Sequence, residues 1–236
     1  MFFIAFLDKA TEPYRRSIEQ HFDHFLKHNF GNHSLLLAHI FICSFIFIIY
    51  HWALGLLNLI QIYVNHSRRF QIQSKQQLFP SRADLLKLTP VVLQNQILSV
   101  LEAVVFFWIQ SPHAQKVPSL SVFLSQISVC FIIGELTFYY GHRVLHLRPL
   151  YKRIHHIHHQ WKAPFGLTTF YCHPLEQLTA NMLPMLLGPA LQGCHLLTTY
   201  FWYTVVKSVA FYVHSGQAFP WMPLPISRLH DLHHQK

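Results

Sequence analysis

Acidic residues are scarce in this sequence. Among 236 residues there are 9 Asp and Glu against 18 Lys and Arg, and charged residues of all kinds make up 11%. So little charge cannot coat a water-soluble globule when 52% of the residues are hydrophobic, and a membrane protein is the first expectation. The net charge of +9 reflects missing acids rather than a concentrated basic surface, which argues against a nucleic-acid partner. Paired cysteines are also lacking. Cys43, Cys130, Cys172 and Cys194 make no CxxC motif and no short-spaced framework, so they read as isolated core thiols. The N-terminus has no basic start, apolar stretch and small-residue cleavage site in the order of a signal peptide. Instead Met1 to Phe30 mixes aromatics with Asp8, Lys9, Glu12, Arg15, Arg16, Glu19, Asp23 and Lys27, which predicts an amphipathic helix at a membrane surface, within an N-terminal segment 1–33. His21, His24 and His28 alternate there with phenylalanine and acids and read as surface residues.

Long apolar runs fill much of the remainder. Leu35 to Val64 is enough to cross the roughly 30 Å hydrocarbon layer once, with tilt, or to kink into a short hairpin near His51 to Gly55, and one long span is the favoured reading. Pro90 to Ile109 is a second span, and its Gln94, Asn95, Gln96 and Glu102 should face other helices rather than lipid. Leu120 to Tyr140 is a third and runs directly into a histidine pair. Leu178 to Val213 is interrupted by Pro184, Gly188, Pro189 and Gly193, the pattern of two helices folded back as a hairpin. The fold expected is all-α, with about four to five membrane helices and a histidine-rich helical cap. Region 34–118 holds membrane helices and a basic loop, and 119–236 holds the histidine domain. Counting crossings puts the loop at Arg68 to Lys87, the segment His142 to His173 and everything from His214 onward on one side. The clusters Arg68, Arg69, Lys75, Arg82, Lys87 and Arg143, Arg148, Lys152, Arg153, Lys162 make that side cytosolic.

Histidine is the residue in excess, at 20. Three tight boxes stand out: His142-Arg-Val-Leu-His146, His155-His-Ile-His158-His159 and His230-Asp-Leu-His233-His234. At this chain's own histidine frequency a specified His-x-x-His-His pattern should occur roughly 0.1 times, and here there are two. On a helix, positions i, i+3 and i+4 share a face, so their imidazoles can converge on one metal or on two neighbouring ones. Eight ring nitrogens at one membrane interface gain nothing in folding, since each would need a partner. A catalytic zinc needs only about three protein ligands, so eight or more suggest two metals, and nitrogen ligation suits zinc, copper or iron. His173 and His214, at apolar borders on the same side, are conditional additions; His195 and His113 read as structural and His156 as a spare. Glu135, seven residues before His142, Glu176, three after His173, and Asp231 inside the last box are candidates to accept the second ring N–H of a ligand.

At these residues the sequence resembles the fatty acid hydroxylase superfamily of membrane diiron enzymes, with its boxes HX3H, HX2HH and HX2HH. The stretch from Glu135 through His146, with Ala163-Pro-Phe-Gly166 and His173-Pro-Leu-Glu176, is similar to methylsterol monooxygenases and to the animal fatty-acid-hydroxylase-domain proteins; Asn181 to Pro189 is nearest the latter. The likeness runs from about Phe79 to the end. It implies iron as the metal, dioxygen as oxidant, and electrons from cytochrome b5 or an NAD(P)H-dependent reductase. It also implies a lipid or sterol substrate and an endoplasmic reticulum membrane with the metal site facing the cytosol. His142, His146, His155, His158, His159, His230, His233 and His234 would be ligands, with His214 a further one. Two departures stand out. Relatives follow His-Ser-Gly with Tyr and then Asp or His, whereas Gln217 and Ala218 stand here; and relatives extend well past the last box, so a domain truncated at its C-terminus is expected. Those departures favour a rival reading, a metal-binding membrane protein without turnover. A metal transporter would instead carry its ligands within the spans.

Overall fold

The computed structural model of the chain describes residues 2–31, 34–64, 70–73, 80–110, 116–220, 222 and 225–235. Arg68, Arg69 and Lys75 of the first basic cluster, and His113, lie outside the described residues. Helices carry the architecture: α1 (Phe2–Phe30), α2 (Ser34–Ser44) continuing through a π-helical turn (Phe45–Tyr50) into α3 (His51–Tyr63), then α4 (Arg82–Gln110) and α5 (Leu120–Leu145). The short α6 (Arg148–Arg153), 3-10 turns at His155–Gln160 and Gly166–Phe170, α7 (Pro174–Glu176) and a second π turn (Gln177–Met182) lead to α8 (Leu183–Gln192), α9 (Leu196–Val213) and α10 (Ile226–Gln235). The only β pairing among the described residues is one isolated bridge, Gln71 to Gln217.

Among the described residues three helices are long and apolar enough to cross a membrane: Leu35–Tyr63, Arg82–Gln110 and Leu120–Leu145. This is a membrane protein. The second and third run past the apolar windows that predict them, because a helix continues into polar sequence wherever its backbone bonds and packing persist. As a result His142 stands in the last turn of α5 and His146 caps it. The expected hairpin is present but does not contribute two further crossings of that length and apolarity. Its first helix ends at Gln192, where Gly193 takes φ +57° as a left-handed cap, and α9 returns from there. The hairpin packs along α5 through Gly188, where a Cβ would stand 2.8 Å from the Cys130 Cα. Only glycine allows that approach of two backbones.

The bundle has two distinct ends. At one, α1 lies against the start of α5 and the hairpin turn: the Asp8 carboxylate accepts Ser121 N–H at 2.9 Å and the Ser121 hydroxyl, Arg15 donates to the Val117 carbonyl at 3.1 Å, and Phe22 meets His195 edge-on at 5.8 Å. At the other end the loops expected on one side do meet. Gln73 donates to the Lys162 carbonyl at 2.8 Å and to Asp231 at 2.7 Å, and Ala218 N–H donates to the Phe70 carbonyl at 2.8 Å. Asn95 and Gln96 are fully buried between helices, as a polar pair inside a span requires. Gln94 departs from that expectation and is exposed, since the helical period carries it about 100° away from Asn95.

Candidate metal centre

Nine histidines from four elements meet at the end of the bundle opposite α1. They fall into two groups. His142, His146, His155 and His233 present ligand nitrogens within 4.8 Å of one another, and so do His158, His214, His230 and His234. His159 joins the first group, its Nε2 lying 3.1 Å from that of His155 and its ring centroid 4.6 Å from that of His233.

The boxes divide between the pockets in a crossed fashion. From the second box His155 and His159 go to the first pocket while His158 goes to the other; from the third box His230 and His234 go to the second pocket while His233 crosses to the first. The i and i+4 pair stays together and the i+3 residue crosses over. On α10 this follows from helical geometry, since i+3 and i+4 diverge by about 100° around the axis. The second box differs from expectation in being a 3-10 turn rather than an α-helix. Its tighter winding stacks His155 on His158, with centroids 5.6 Å apart and planes 24° apart, while their ring nitrogens serve different pockets.

In every one of the nine rings Nε2 is the inward atom. Successive Nε2 pairs stand at 2.9 Å (His142 and His233), 3.2 Å (His146 and His233), 3.1 Å (His146 and His155), 3.2 Å (His158 and His214), 2.9 Å (His214 and His230) and 3.0 Å (His230 and His234). The opposite nitrogens fix which tautomer is present. His158 Nδ1 faces the Tyr171 carbonyl at 3.1 Å and His214 Nδ1 faces the Ala210 carbonyl at 2.7 Å. A carbonyl only accepts, so both Nδ1 atoms carry the proton and both Nε2 atoms present bare lone pairs to each other. Such an arrangement is repulsive unless a cation sits between them. Two nitrogens each about 2.1 Å from a metal stand about 3.0 Å apart at a right angle and about 3.4 Å apart in a tetrahedron. Both separations lie close to those seen here, so each pocket fits a metal held by imidazole nitrogens.

Burial keeps the rings neutral and available as ligands. It holds the imidazoles of His155 and His214 down at about 4, His158 at about 3 and His159 at about 2, and pushes His230 and His234 lower still, with neighbouring imidazoles adding to the effect in most of them. Glu176, buried beside them, accepts from His155 Nδ1 at 2.9 Å, and burial raises its carboxyl to about 7. A nearby metal charge would restore the carboxylate and strengthen its hold on His155.

Other candidates are placed elsewhere. His173 is not brought to either pocket; its Nδ1 accepts Leu175 N–H at 3.1 Å and caps α7. His195 caps α9 in the same way, on Leu197 N–H at 3.1 Å. Glu135 is exposed on α5 and bonds to no histidine among the described residues, because two helical turns put it about 10.5 Å along the axis from His142. Asp231 is buried, but its oxygens accept from Gln73 and Gln235, each at 2.7 Å, rather than from a ring. The Tyr171 carbonyl that orients His158 was not legible, since a backbone acceptor leaves no mark in side-chain identity.

The fold and site define a membrane-embedded helical protein that presents two adjoining all-imidazole pockets at one end of its bundle. Residues 127–236 match the Fatty acid hydroxylase family. Fatty acid hydroxylase domain-containing protein 2 of Homo sapiens is 37% identical over 150 residues, covering 61% of this chain and 44% of its own length. A very-long-chain aldehyde decarbonylase of Oryza sativa subsp. indica is 35% identical over 175 residues, 71% of this chain and 65% of its own. Methylsterol monooxygenase 2-1 of Arabidopsis thaliana is 40% identical over 119 residues, 50% of this chain and 43% of its own. The chain thus spans less than two thirds of each of these relatives. No solved structure matches it.

Proposed function

We propose that the chain is a membrane-bound non-haem diiron oxygenase that hydroxylates a C–H bond of a lipid, with the 4-methyl group of a sterol the leading target. The observation that carries this reading is the set of nine converging Nε2 atoms, five around one pocket and four around the other. In it His142, His146, His155, His159 and His233 hold one iron and His158, His214, His230 and His234 hold the second. When bound, the irons supply the activation of dioxygen that side chains alone cannot provide. One oxygen atom enters the C–H bond and the other leaves as water, consuming two electrons and two protons. The chain's own groups set the stage for that chemistry. Glu176, the Tyr171 carbonyl and the Ala210 carbonyl fix the tautomers of His155, His158 and His214. Electrons come from cytochrome b5 or an NAD(P)H-dependent reductase. The membrane is that of the endoplasmic reticulum, with the pockets facing the cytosol; the exposed Arg143, Arg148, Lys152, Arg153 and Lys162 at that end support this orientation.

A second reading, a metal-binding protein without turnover, is favoured by Ala218, which offers only backbone and spends its N–H on Phe70. One experiment separates the two. Detergent-purified protein is analysed for metal, then given a reducing system and, in parallel, 4-methylsterols, acyl lipids and a very-long-chain aldehyde, the last because of the rice relative's name. Near two irons per chain with an oxidised sterol supports the proposal. Full iron with every lipid unchanged sinks the activity, and zinc or no metal sinks the diiron centre.

A further inference from the structure

Asn95 and Ser99 lie one turn apart on the inward face of α4, both fully buried, and neither touches a histidine. Their partners are nevertheless the neighbours of the groups that orient the two pockets. Asn95 Nδ2 donates to the Phe170 carbonyl at 2.8 Å and to the Cys172 carbonyl at 2.8 Å. It thereby grips the chain on both sides of Tyr171, whose own carbonyl takes the His158 Nδ1 proton. Ser99 Oγ donates to the Asn95 carbonyl at 2.8 Å and accepts from Gln177 Nε2 at 2.9 Å. Gln177 directly follows Glu176, the acceptor for His155. Gln177 Oε1 in turn accepts from Asn181 Nδ2 at 3.2 Å and from the Cys172 thiol at 3.4 Å, which closes the network.

We propose that Asn95 and Ser99 are positioning residues for the metal centre, Asn95 acting on the His158 pocket through Tyr171 and Ser99 on the His155 pocket through Gln177 and Glu176. The inference rests on the metal-binding reading of the histidines. Two features set it apart from ordinary helix packing. The Asn95 amide donates to backbone flanking one metal-orienting carbonyl and lies 3.6 Å from the Cys172 sulfur, while its Oδ1 has no partner, so the side chain is placed by contacts to this one segment. In a bundle with little water, such bonds fix geometry, because the freed carbonyls would find no other donor. The second feature is the branching: one face of one span reaches one pocket through Asn95 and the other through Ser99.

Branching makes the test selective. Wild type, Asn95→Asp and Ser99→Ala are purified as full chains, loaded with iron and dialysed against graded chelator. Metal per chain, thermal midpoint and metal-dependent protection of each histidine from carbethoxylation are then measured. Asn95→Asp keeps the shape but loses the paired donors. It should release one metal at chelator concentrations at least tenfold lower than wild type, with His158 and His214 losing protection while His142 and His155 keep it. Ser99→Ala should reverse the pattern with a smaller, few-fold shift. Release of both metals in parallel, in step with the thermal midpoint, would show a merely structural role and overturn the proposal, as would wild-type retention in both variants. Should Asn95→Asp fail to fold, the His155 selectivity of Ser99→Ala decides alone. A wild-type chain that binds no metal would instead overturn the metal-centre reading and this inference with it.

Discussion

Histidines occur at both ends of the bundle, and the two ends use them in opposite ways. Near α1 and in the adjoining half of the bundle the protein itself satisfies the rings of His21, His195 and His39. His21 faces the Ser17 carbonyl at 2.7 Å, His195 caps α9, and His39, fully buried, bonds to Tyr200 and the Ala103 carbonyl, each at 3.0 Å. At the far end the outward nitrogens of His155, His158 and His214 are held by a carboxylate or carbonyls, while the inward nitrogens of all nine rings are left to face each other. The difference shows that number and spacing of histidines are not enough. What marks the metal centre is that Nε2 of every ring is aimed at its neighbours, with the outward nitrogens of His155, His158 and His214 used up by the protein.

The comparison breaks most visibly at a ligand. His158→Ala removes one of the four nitrogens of the second pocket, and the expected outcome is loss of that metal with oxygenation falling below detection, read by metal analysis and product assay. Substitution of the orienting acid comes next. Glu176→Gln keeps an acceptor near His155 Nδ1 but removes the charge that a metal would stabilise. Metal affinity of the first pocket should fall about 10- to 100-fold, measured by competition with a chelator. If affinity is unchanged, the carboxylate is a packing group and the contrast between the ends loses one of its supports.

Much of this site could be read from spacing. The three boxes sit on local structure short enough that i, i+3 and i+4 neighbours must be close, whatever the tertiary fold, and the pair on α5 meets for that reason. Long-range partners were visible only where residue chemistry restricted them. His214 joins because it ends α9 beside α10, but His173, equally plausible by sequence, is captured by its own helix N-terminus two residues away. Glu135 failed because sharing a helix face is not sharing a level along the axis. Buried Asn95 and Gln96 could be assigned inward, yet their targets are carbonyls and a tryptophan on other elements, and no side-chain pattern encodes those.

Two substitutions away from the pockets sharpen the contrast by disturbing the bundle and sparing the metals. Gly188→Ala drives a methyl to 2.8 Å from the Cys130 backbone, so α5 and α8 must part, at a cost of about 1–3 kcal/mol seen as a lower thermal midpoint. His39→Phe leaves the Ala103 carbonyl and the Tyr200 hydroxyl without their buried partner, again about 1–3 kcal/mol. In both variants the folded fraction should retain its full metal content. Loss of metal in His39→Phe would mean that histidines of the two regions are coupled, contrary to the distinction drawn between them.

The smallest effect is expected where histidine spacing is most misleading. His21, His24 and His28 fall at i, i+3 and i+7 on α1, close to the spacing of a true box, and the rings of His24 and His28 lie 5.8 Å apart. Yet His21 points its Nδ1 back at its own helix, all three are exposed, and among the described residues none of them joins a group of converging ligand atoms. Water satisfies such rings, and a lone pair of exposed imidazoles has no preorganised geometry to offer a metal. The triple variant His21→Ala, His24→Ala, His28→Ala should therefore keep wild-type metal stoichiometry, chelator resistance and thermal midpoint. A drop of one metal per chain would show that spacing alone recruits metal in this protein, and that the convergence of Nε2 atoms at the other end is not what distinguishes it.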